Sequence, residues 1–433
     1  MGEWLDRRFG ISERKSSVRT EVIAGITTFM TMAYIIFVNP AILSEAGMDF
    51  GAVMTATCLA SAAGTLIMGL YANYPFALAP GMGLNAFFAF TVVIGMKVSW
   101  QTALAAVLLD GILFILLTAS RVREAIVNAV PYNLKLAVSA GIGLFIALIG
   151  LVGAGIVVDN PATLVSLGDL TKPAPILSLC GLLLIAVLNA YKVKGALLWG
   201  ILAVTLAAIP FGVASPPQGI VSAPPSLSPI LFKFDLKGLM NMAMVGVVIT
   251  FLFVDLFDTL GTLIGVSARA DFLDKDGNLP RASKALMADA VATVVGACLG
   301  TSTVTTYVES ASGVEEGGRT GLVSCVVALL FLGALFFSPI ARIVPTAATS
   351  PALIMVGVFM MQALKGLNFD DITEMVPAAI AIFTMPFTYS IAEGIAWGII
   401  SYTLIKLLTG RGRQVSLTMS ILTALFLAKE FLL

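Results

Sequence analysis

The 433-residue chain contains no histidine. That absence removes the side chain that ordinarily titrates between pH 5 and 8, so a proton exchanged near neutrality has to ride on a carboxylate. Charge of either sign is scarce: Asp, Glu, Lys and Arg fill 12% of positions, and 25 basic residues balance 25 acidic ones. A zero balance gives nucleic acid nothing to bind, and no such partner is expected. The four cysteines, Cys58, Cys180, Cys298 and Cys325, each lie inside an apolar run. They have neither the CxxC spacing of a metal site nor the loop placement of a disulfide framework, and they read as small hydrophobes. With no Ser/His pair, Cys/His pair or metal cluster to be found, neither an enzyme nor a cofactor is expected.

What remains is apolar. Hydrophobic residues make up 58% of the chain and the mean hydropathy is +0.99, which places it in the polytopic membrane class. Residues 1–20 carry Arg7, Arg8, Arg14, Lys15 and Arg19, and the apolar run after them is too long for a cleaved signal peptide.

Fourteen apolar runs bounded by charge, Pro or Gly follow, near 21–43, 52–71, 77–95, 101–119, 133–153, 174–190, 196–212, 239–266, 283–300, 304–315, 320–337, 350–364, 371–388 and 391–408. Most reach the roughly 20 residues a helix needs to cross ~30 Å of hydrocarbon, but the third and tenth are short and interrupted. With the N-terminus in the cytoplasm, the cytoplasmic loops hold Arg121, Arg123, Lys135, Lys192, Lys194, Arg269, Lys275, Arg281, Lys284, Arg319, Lys365, Lys406, Arg411 and Arg413 besides the N-terminal five. The opposite side receives Lys97, Lys172, Lys233, Lys237 and Arg342, a bias that fits a multi-pass protein of the plasma (inner) membrane. The stretch 415–428 is short for a span and suits the interface.

The Pro-rich segment from Ser215 to Pro229 separates two halves of seven runs, and an odd number per half forces the second to enter the membrane inverted. Weak internal similarity agrees: Lys194-Gly-Ala-Leu-Leu-Trp-Gly-Ile matches Ala392-Glu-Gly-Ile-Ala-Trp-Gly-Ile, and Thr28-Phe29 pairs with Thr250-Phe251. In the third run, Ala79-Pro-Gly-Met-Gly-Leu-Asn85 falls opposite Thr303-Val-Thr-Thr-Tyr-Val-Glu309 of the tenth. Paired interrupted segments in corresponding positions point to a transporter's substrate site. Pro80 cannot donate within a continuous helix. Gly300–Gly313, reading GTSTVTTYVESASG, is too polar for a lipid-facing helix and is expected to be partly extended, with a short helix starting near Tyr307. Irregular backbone at that depth survives only where it is buried in protein or lines a cavity. Glu309 is therefore a functional candidate, because a carboxylate there is rare.

In the eighth run Asp255 and Asp258 stand at i and i+3, on one helical face among apolar neighbours. Two such carboxylates need a partner, a cavity or a proton; either one could instead cap a broken helix at its N-terminus. Asp289 in the ninth run reads as a helix-packing residue. No Lys or Arg falls within these central runs. Acceptor-only carboxylates, Asn85 and exposed backbone N–H groups suit a flat neutral ligand such as a purine, on which Phe87 and Phe88 could stack. A metal ion or a cationic amine would also favour acidic pockets. Asp274-Lys-Asp-Gly-Asn278 lacks the geometry of a calcium loop and reads as a turn, and Gly317-Gly-Arg-Thr-Gly321 is no phosphate loop.

Four motifs, Glu21-Val-Ile-Ala-Gly-Ile-Thr-Thr-Phe-Met-Thr-Met-Ala-Tyr-Ile-Ile-Phe-Val-Asn-Pro40, Ala79 to Phe88, Val254-Asp-Leu-Phe-Asp-Thr-Leu-Gly-Thr262, and Gly300 to Gly313 with Gly317 to Gly321, resemble the adenine/guanine/hypoxanthine permeases, the purine branch of the nucleobase–ascorbate transporter superfamily. The resemblance runs from Trp4 to about Gly412. It implies an all-α polytopic fold of fourteen spans in two inverted seven-span repeats, with short extended stretches in spans three and ten. A core domain (21–119 and 239–337) would hold the substrate and a gate domain (133–212 and 350–408) would form the dimer contact, leaving 409–433 as a tail. It also implies proton symport of a purine base. The family's site residues fall on Asn85, on Asp255 or Asp258, and on Glu309, with Gly83, Phe87 and Thr306 beside them; the proton carrier is expected among Asp255, Asp258 and Glu309. A channel or an anion exchanger on the same architecture is the alternative.

Overall fold

The computed structural model describes residues 2–120, 130–217, 219–274 and 279–432. Arg121, Arg123 and Lys275, and the turn after Asp274, therefore lie outside the described residues.

The apolar runs become helices because nothing in hydrocarbon can satisfy a backbone amide except the helix itself. Among the described residues, ten helices are long and apolar enough to cross a membrane, and Met82–Gly95, Ala196–Ala208 and Ile372–Thr388 are shorter apolar helices. The tenth run supplies the fourteenth crossing as a strand, Val304–Thr306, followed by the six-residue helix Ser310–Glu315. Polar residues start several helices by capping orphan N–H groups: Ser17 accepts from Thr20 N, Asp49 from Ala52 N and Ser390 from Glu393 N.

Helices from the two halves interleave in two groups. In one, Phe50–Ile67 packs on Ala282–Leu299 and Gly321–Ala334, Val18–Met32 packs on Gly321–Ala334, and Trp100–Ser120 packs on Ala282–Leu299 and Met242–Arg269. In the other, Tyr132–Gly153 packs on Thr346–Met360 and Ile372–Thr388, Pro173–Ala190 packs on Thr346–Met360, and Ile372–Thr388 packs on Ile391–Leu408. Small residues permit the closest approaches. At the crossing of Tyr132–Gly153 with Thr346–Met360, a Cβ at Gly143 would come within 2.7 Å of the Gly357 carbonyl.

The third and tenth spans meet where both are extended. Leu78–Pro80 pairs antiparallel with Val304–Thr306, with Leu78 opposite Thr306 and Pro80 opposite Val304. Because the strands run in opposite directions, the short helices after them, Met82–Ala86 and Ser310–Glu315, leave the pair at opposite ends. This is the inverted repeat at the smallest scale. All six strand residues are buried, and the backbone groups that their departure from helix frees are taken by side chains of neighbouring helices. Thr65 Oγ1 accepts from Leu78 N at 2.9 Å, Thr293 Oγ1 donates to Val304 O at 2.9 Å, and Ser310 Oγ accepts from Ala77 N at 2.9 Å.

Two features differ from expectation. The short helix of the tenth span begins at Ser310 rather than near Tyr307, because Tyr307 N is bound to Ala77 O at 2.9 Å and prolongs the strand pairing. A second, exposed hairpin, Val157–Asn160 with Leu164–Leu167, fills the connection after Tyr132–Gly153. Its Val-rich arms and Asn-Pro turn are the ordinary signals of such a unit. The C-terminal stretch forms the helix Leu417–Leu432, tied to Ile391–Leu408 by a hydrogen bond between the Thr423 and Thr403 hydroxyls at 2.7 Å.

Candidate functional site

The strand pair links polar residues of the third, eighth, ninth and tenth spans by pairwise contacts. Asn85 lies on the buried helix Met82–Ala86; its Oδ1 accepts from the Ser302 hydroxyl and its amide donates to Pro80 O at 3.4 Å. The same Pro80 carbonyl accepts the Tyr307 hydroxyl at 2.5 Å, and Gly81 N donates to Thr303 O at 3.0 Å. Pro80 is tolerated in the strand because the carbonyl it keeps is used twice and the N–H it lacks is not missed.

Successive residues of a strand face opposite ways, and that alternation sorts the tenth-span threonines. Thr305 Oγ1 donates to Asp258 Oδ2 at 3.4 Å, whereas Thr306 Oγ1 donates to Asp289 Oδ1 at 3.0 Å. Thr259 Oγ1 lies 2.9 Å from Asp289 Oδ2 and 3.3 Å from Asp255 Oδ1. The two aspartates of the eighth span thus have different surroundings. Asp255 is fully buried beside the Thr259–Asp289 network, and Asp258 is partly accessible and tied to the strand through Thr305.

Glu309 sits immediately before the helix Ser310–Glu315 and is partly accessible. Its Oε1 accepts the Tyr34 hydroxyl at 2.7 Å. Tyr34 lies at the break between Val18–Met32 and Ile35–Glu45, so an interruption of the first span supplies the donor. Nearby, Asn39 Nδ2 donates to Thr57 Oγ1 and to Thr301 Oγ1, fixing the start of the tenth-span stretch to the first two spans.

Of the other candidates from sequence, Gly83 marks a close approach, since a Cβ there would meet Ile142 Cγ2 at 2.7 Å. Phe87 and Phe88 are fully buried, with the Phe87 ring edge-on to Phe251 at 4.8 Å between centroids, so neither ring presents an exposed face in this arrangement. Thr306 is given to Asp289, on the strand face away from Asp258; the neighbour that meets Asp258 is Thr305. Residues that the sequence did not single out are Tyr34, Thr259, Ser302 and Thr305, and Asp289 does more than pack helices because it holds a strand. Period-two alternation along 303–306 was the one available signal for Thr305. The others depend on long-range contacts. Among the described residues, no group of three or more Cys, Asp and Glu is placed to hold a metal ion.

This architecture, two inverted seven-span repeats crossing at two broken spans with buried polar residues at the crossing, is that of a membrane permease. Residues 19–397 match the model of a permease family, and the chain belongs to that family. It is 48% identical to the adenine permease AdeP and 46% identical to the adenine permease AdeQ, both of Escherichia coli. The alignments cover 98% and 99% of this chain and 95% and 96% of those proteins. It is 45% identical to the guanine/hypoxanthine permease PbuG of Bacillus subtilis, over 94% of this chain and 95% of that one. Among solved structures it resembles the transmembrane domain of a cyanobacterial bicarbonate transporter, BicA, with a TM-score of 0.66 at 13% identity, covering 88% of this chain and 97% of that one. SLC26A9 aligns with a TM-score of 0.65 at 11% identity, covering 94% of this chain and 69% of that one. At such identities the likeness shows a common fold.

Proposed function

We propose that this chain is a secondary active transporter that imports a purine nucleobase, adenine, hypoxanthine or guanine, by proton symport. The observation that carries the reading is the set of donors and acceptors brought to the strand pair by Asn85, Asp258 and Glu309, in a chain whose relatives are named for adenine, guanine and hypoxanthine transport. Acceptor-only carboxylates match the N–H edge of a purine, and an amide can serve a ring nitrogen or an exocyclic group. The N-terminal end of Met82–Gly95 lies beside the strand pair, where it would favour an acceptor on the ligand. Thr303 Oγ1 is buried with no partner among the described residues, which supports a ligand or water at that place.

In this reading the helices of 21–119 and 239–337 carry the base as a core that moves, elevator-like, against a gate of 133–212 and 350–408, and the gate forms a homodimer. Asp258 and Glu309 contact the base, and Asp255, next to the Thr259–Asp289 network, carries the proton. Protonation from the outer face relieves a buried charge and favours closure around the base, so loading acts by differential affinity for the occluded state.

Uptake of labelled adenine, hypoxanthine, guanine, uracil, sulfate and bicarbonate into proteoliposomes, with and without an imposed pH gradient, tests the reading. Purine accumulation driven by an inward proton gradient is expected. Accumulation of sulfate or bicarbonate with no purine would overturn it in favour of anion transport on the same architecture.

A further inference from the structure

At the face that carries the N-terminus, the arginines of the first fourteen residues meet elements of both repeats around a cavity of about 480 Å3, lined among others by Asp6, Arg7, Arg8, Arg14, Asn73 and Arg281. That volume falls within the ~300–1,000 Å3 typical of small-molecule sites. The cavity shares no lining residue with the strand crossing, although Asn73 lies only a few residues before Leu78, and the proposed transport cycle makes no use of it.

Its guanidinium groups, of which Arg7, Arg8 and Arg281 are exposed and Arg14 is half-buried, outnumber the carboxylates of the lining and are oriented by neutral groups. Arg14 Nη1 donates to Arg319 O at 2.6 Å and to Asn73 O at 3.3 Å, and Arg8 Nη2 donates to Leu70 O at 2.6 Å. Backbone carbonyls fix the orientation of an arginine but leave its charge unpaired. Arg281 stands 4.7 Å above the ring of Tyr74, whose hydroxyl donates to Pro280 O. Two carboxylates share the lining with the four arginines: Asp6 is occupied by the Ser12 amide at 2.7 Å and the Ser12 hydroxyl at 2.9 Å, and Glu13 offsets part of the charge around Arg14 without closing an ion pair to it. Among the described residues, Arg8, Arg14 and Arg281 form no ion pair, and the Arg7–Glu3 pair is stretched to 4.0 Å with both side chains in solvent. Burial first, and the charge of Arg281 second, pull the Arg14 guanidinium below its usual range. Like charges gathered in a cavity and held by neutral acceptors are relieved by an anion, and the fork of a guanidinium matches the oxygens of a phosphate.

We propose that this arginine-lined cavity binds a phosphate group, presented either by a soluble nucleotide or by the headgroup of an anionic phospholipid. Asn73 follows the second span and Arg319 precedes the eleventh, so an occupied cavity braces the two repeats against each other through Arg14. The proposal does not depend on what the permease carries.

The test uses the purified full-length protein. Calorimetric titration with inorganic phosphate and with AMP, at constant ionic strength, is compared between wild type, Arg281→Gln and the double variant Arg7→Gln/Arg281→Gln. Melting temperature is compared in nanodiscs of phosphatidylcholine with and without phosphatidylglycerol. Purine binding and the unliganded melting temperature verify that the variants are folded. Loss of one charge-assisted bond should weaken phosphate or AMP at least about tenfold in Arg281→Gln, and more in the double variant. Binding of AMP that is lost in the variants assigns a soluble ligand. Failure of AMP to bind, with a phosphatidylglycerol-dependent stabilisation that the variants lose, assigns a lipid headgroup. If neither probe acts on wild type, or both act equally on the folded variants, the proposal is overturned.

Discussion

Glu309→Gln is the substitution on which the site assignment turns. The wild-type carboxylate accepts the Tyr34 hydroxyl through one oxygen at 2.7 Å, and in the proposed binding mode its second oxygen accepts a ligand N–H. Glutamine keeps the shape and, with its amide oxygen toward Tyr34, keeps that bond as a neutral one. The ligand-facing atom then becomes an NH2 that donates where an acceptor is needed. A hydrogen bond to a charged group contributes roughly 1.5–3 kcal/mol and a buried mismatched donor costs about 1–3 kcal/mol, so purine affinity should fall roughly tenfold to a hundredfold. Equilibrium binding of labelled purine to purified protein reads this directly, without involving the proton gradient. Tyr34→Phe provides the internal control. It should weaken binding in the wild-type background and do much less beside Glu309→Gln, a coupling of about 1 kcal/mol in the double-mutant cycle. Wild-type affinity in a well-folded Glu309→Gln protein removes Glu309 from the site, and additive effects of the two substitutions refute the idea that Tyr34 acts through it.

Three further outcomes follow from particular contacts. Asp255→Asn should abolish accumulation against a gradient while sparing purine binding, whereas Asp258→Asn should abolish both; if both variants still concentrate purine in response to a proton gradient, the carrier must be sought at Glu309 or Asp289. Gly321→Ala would drive a Cβ into the Gly69 carbonyl at the packing of the second and eleventh spans, so a large drop in melting temperature or yield is expected, and an unchanged melting temperature would show that this contact is looser than described. Lys406 is buried at the end of Ile391–Leu408 and pairs with Glu374 at 2.8 Å and with Asp371 at 3.8 Å. Lys406→Met should cost roughly 1–3 kcal/mol, less than the 3–5 of a fully buried pair because both carboxylates keep some water, and thermal unfolding in detergent checks it.

Composition and periodicity alone determined that the chain lives in a bilayer, that it crosses in two halves of seven spans, and that the third and tenth spans are broken. In hydrocarbon each of these follows from local content. A run of about 20 apolar residues has one solution, and a run such as Thr301 to Thr306 with Pro80 in its counterpart cannot take that solution. Asn85 and Glu309 were legible for the same reason, as polar residues at matching points of two interrupted segments.

Partnership was not legible. Asp255 and Asp258 look equivalent three residues apart, yet the strand pair sets one beside Thr305 and the other beside the Thr259–Asp289 network. Whether Thr305 or Thr306 meets Asp258 depends on the register of a three-residue pairing, and a slip of one residue would exchange them. Tyr34 reaches Glu309 across 275 residues of sequence. A hydrogen bond requires its two atoms within about 3 Å, and only the packing of the spans brings together groups that no local periodicity relates.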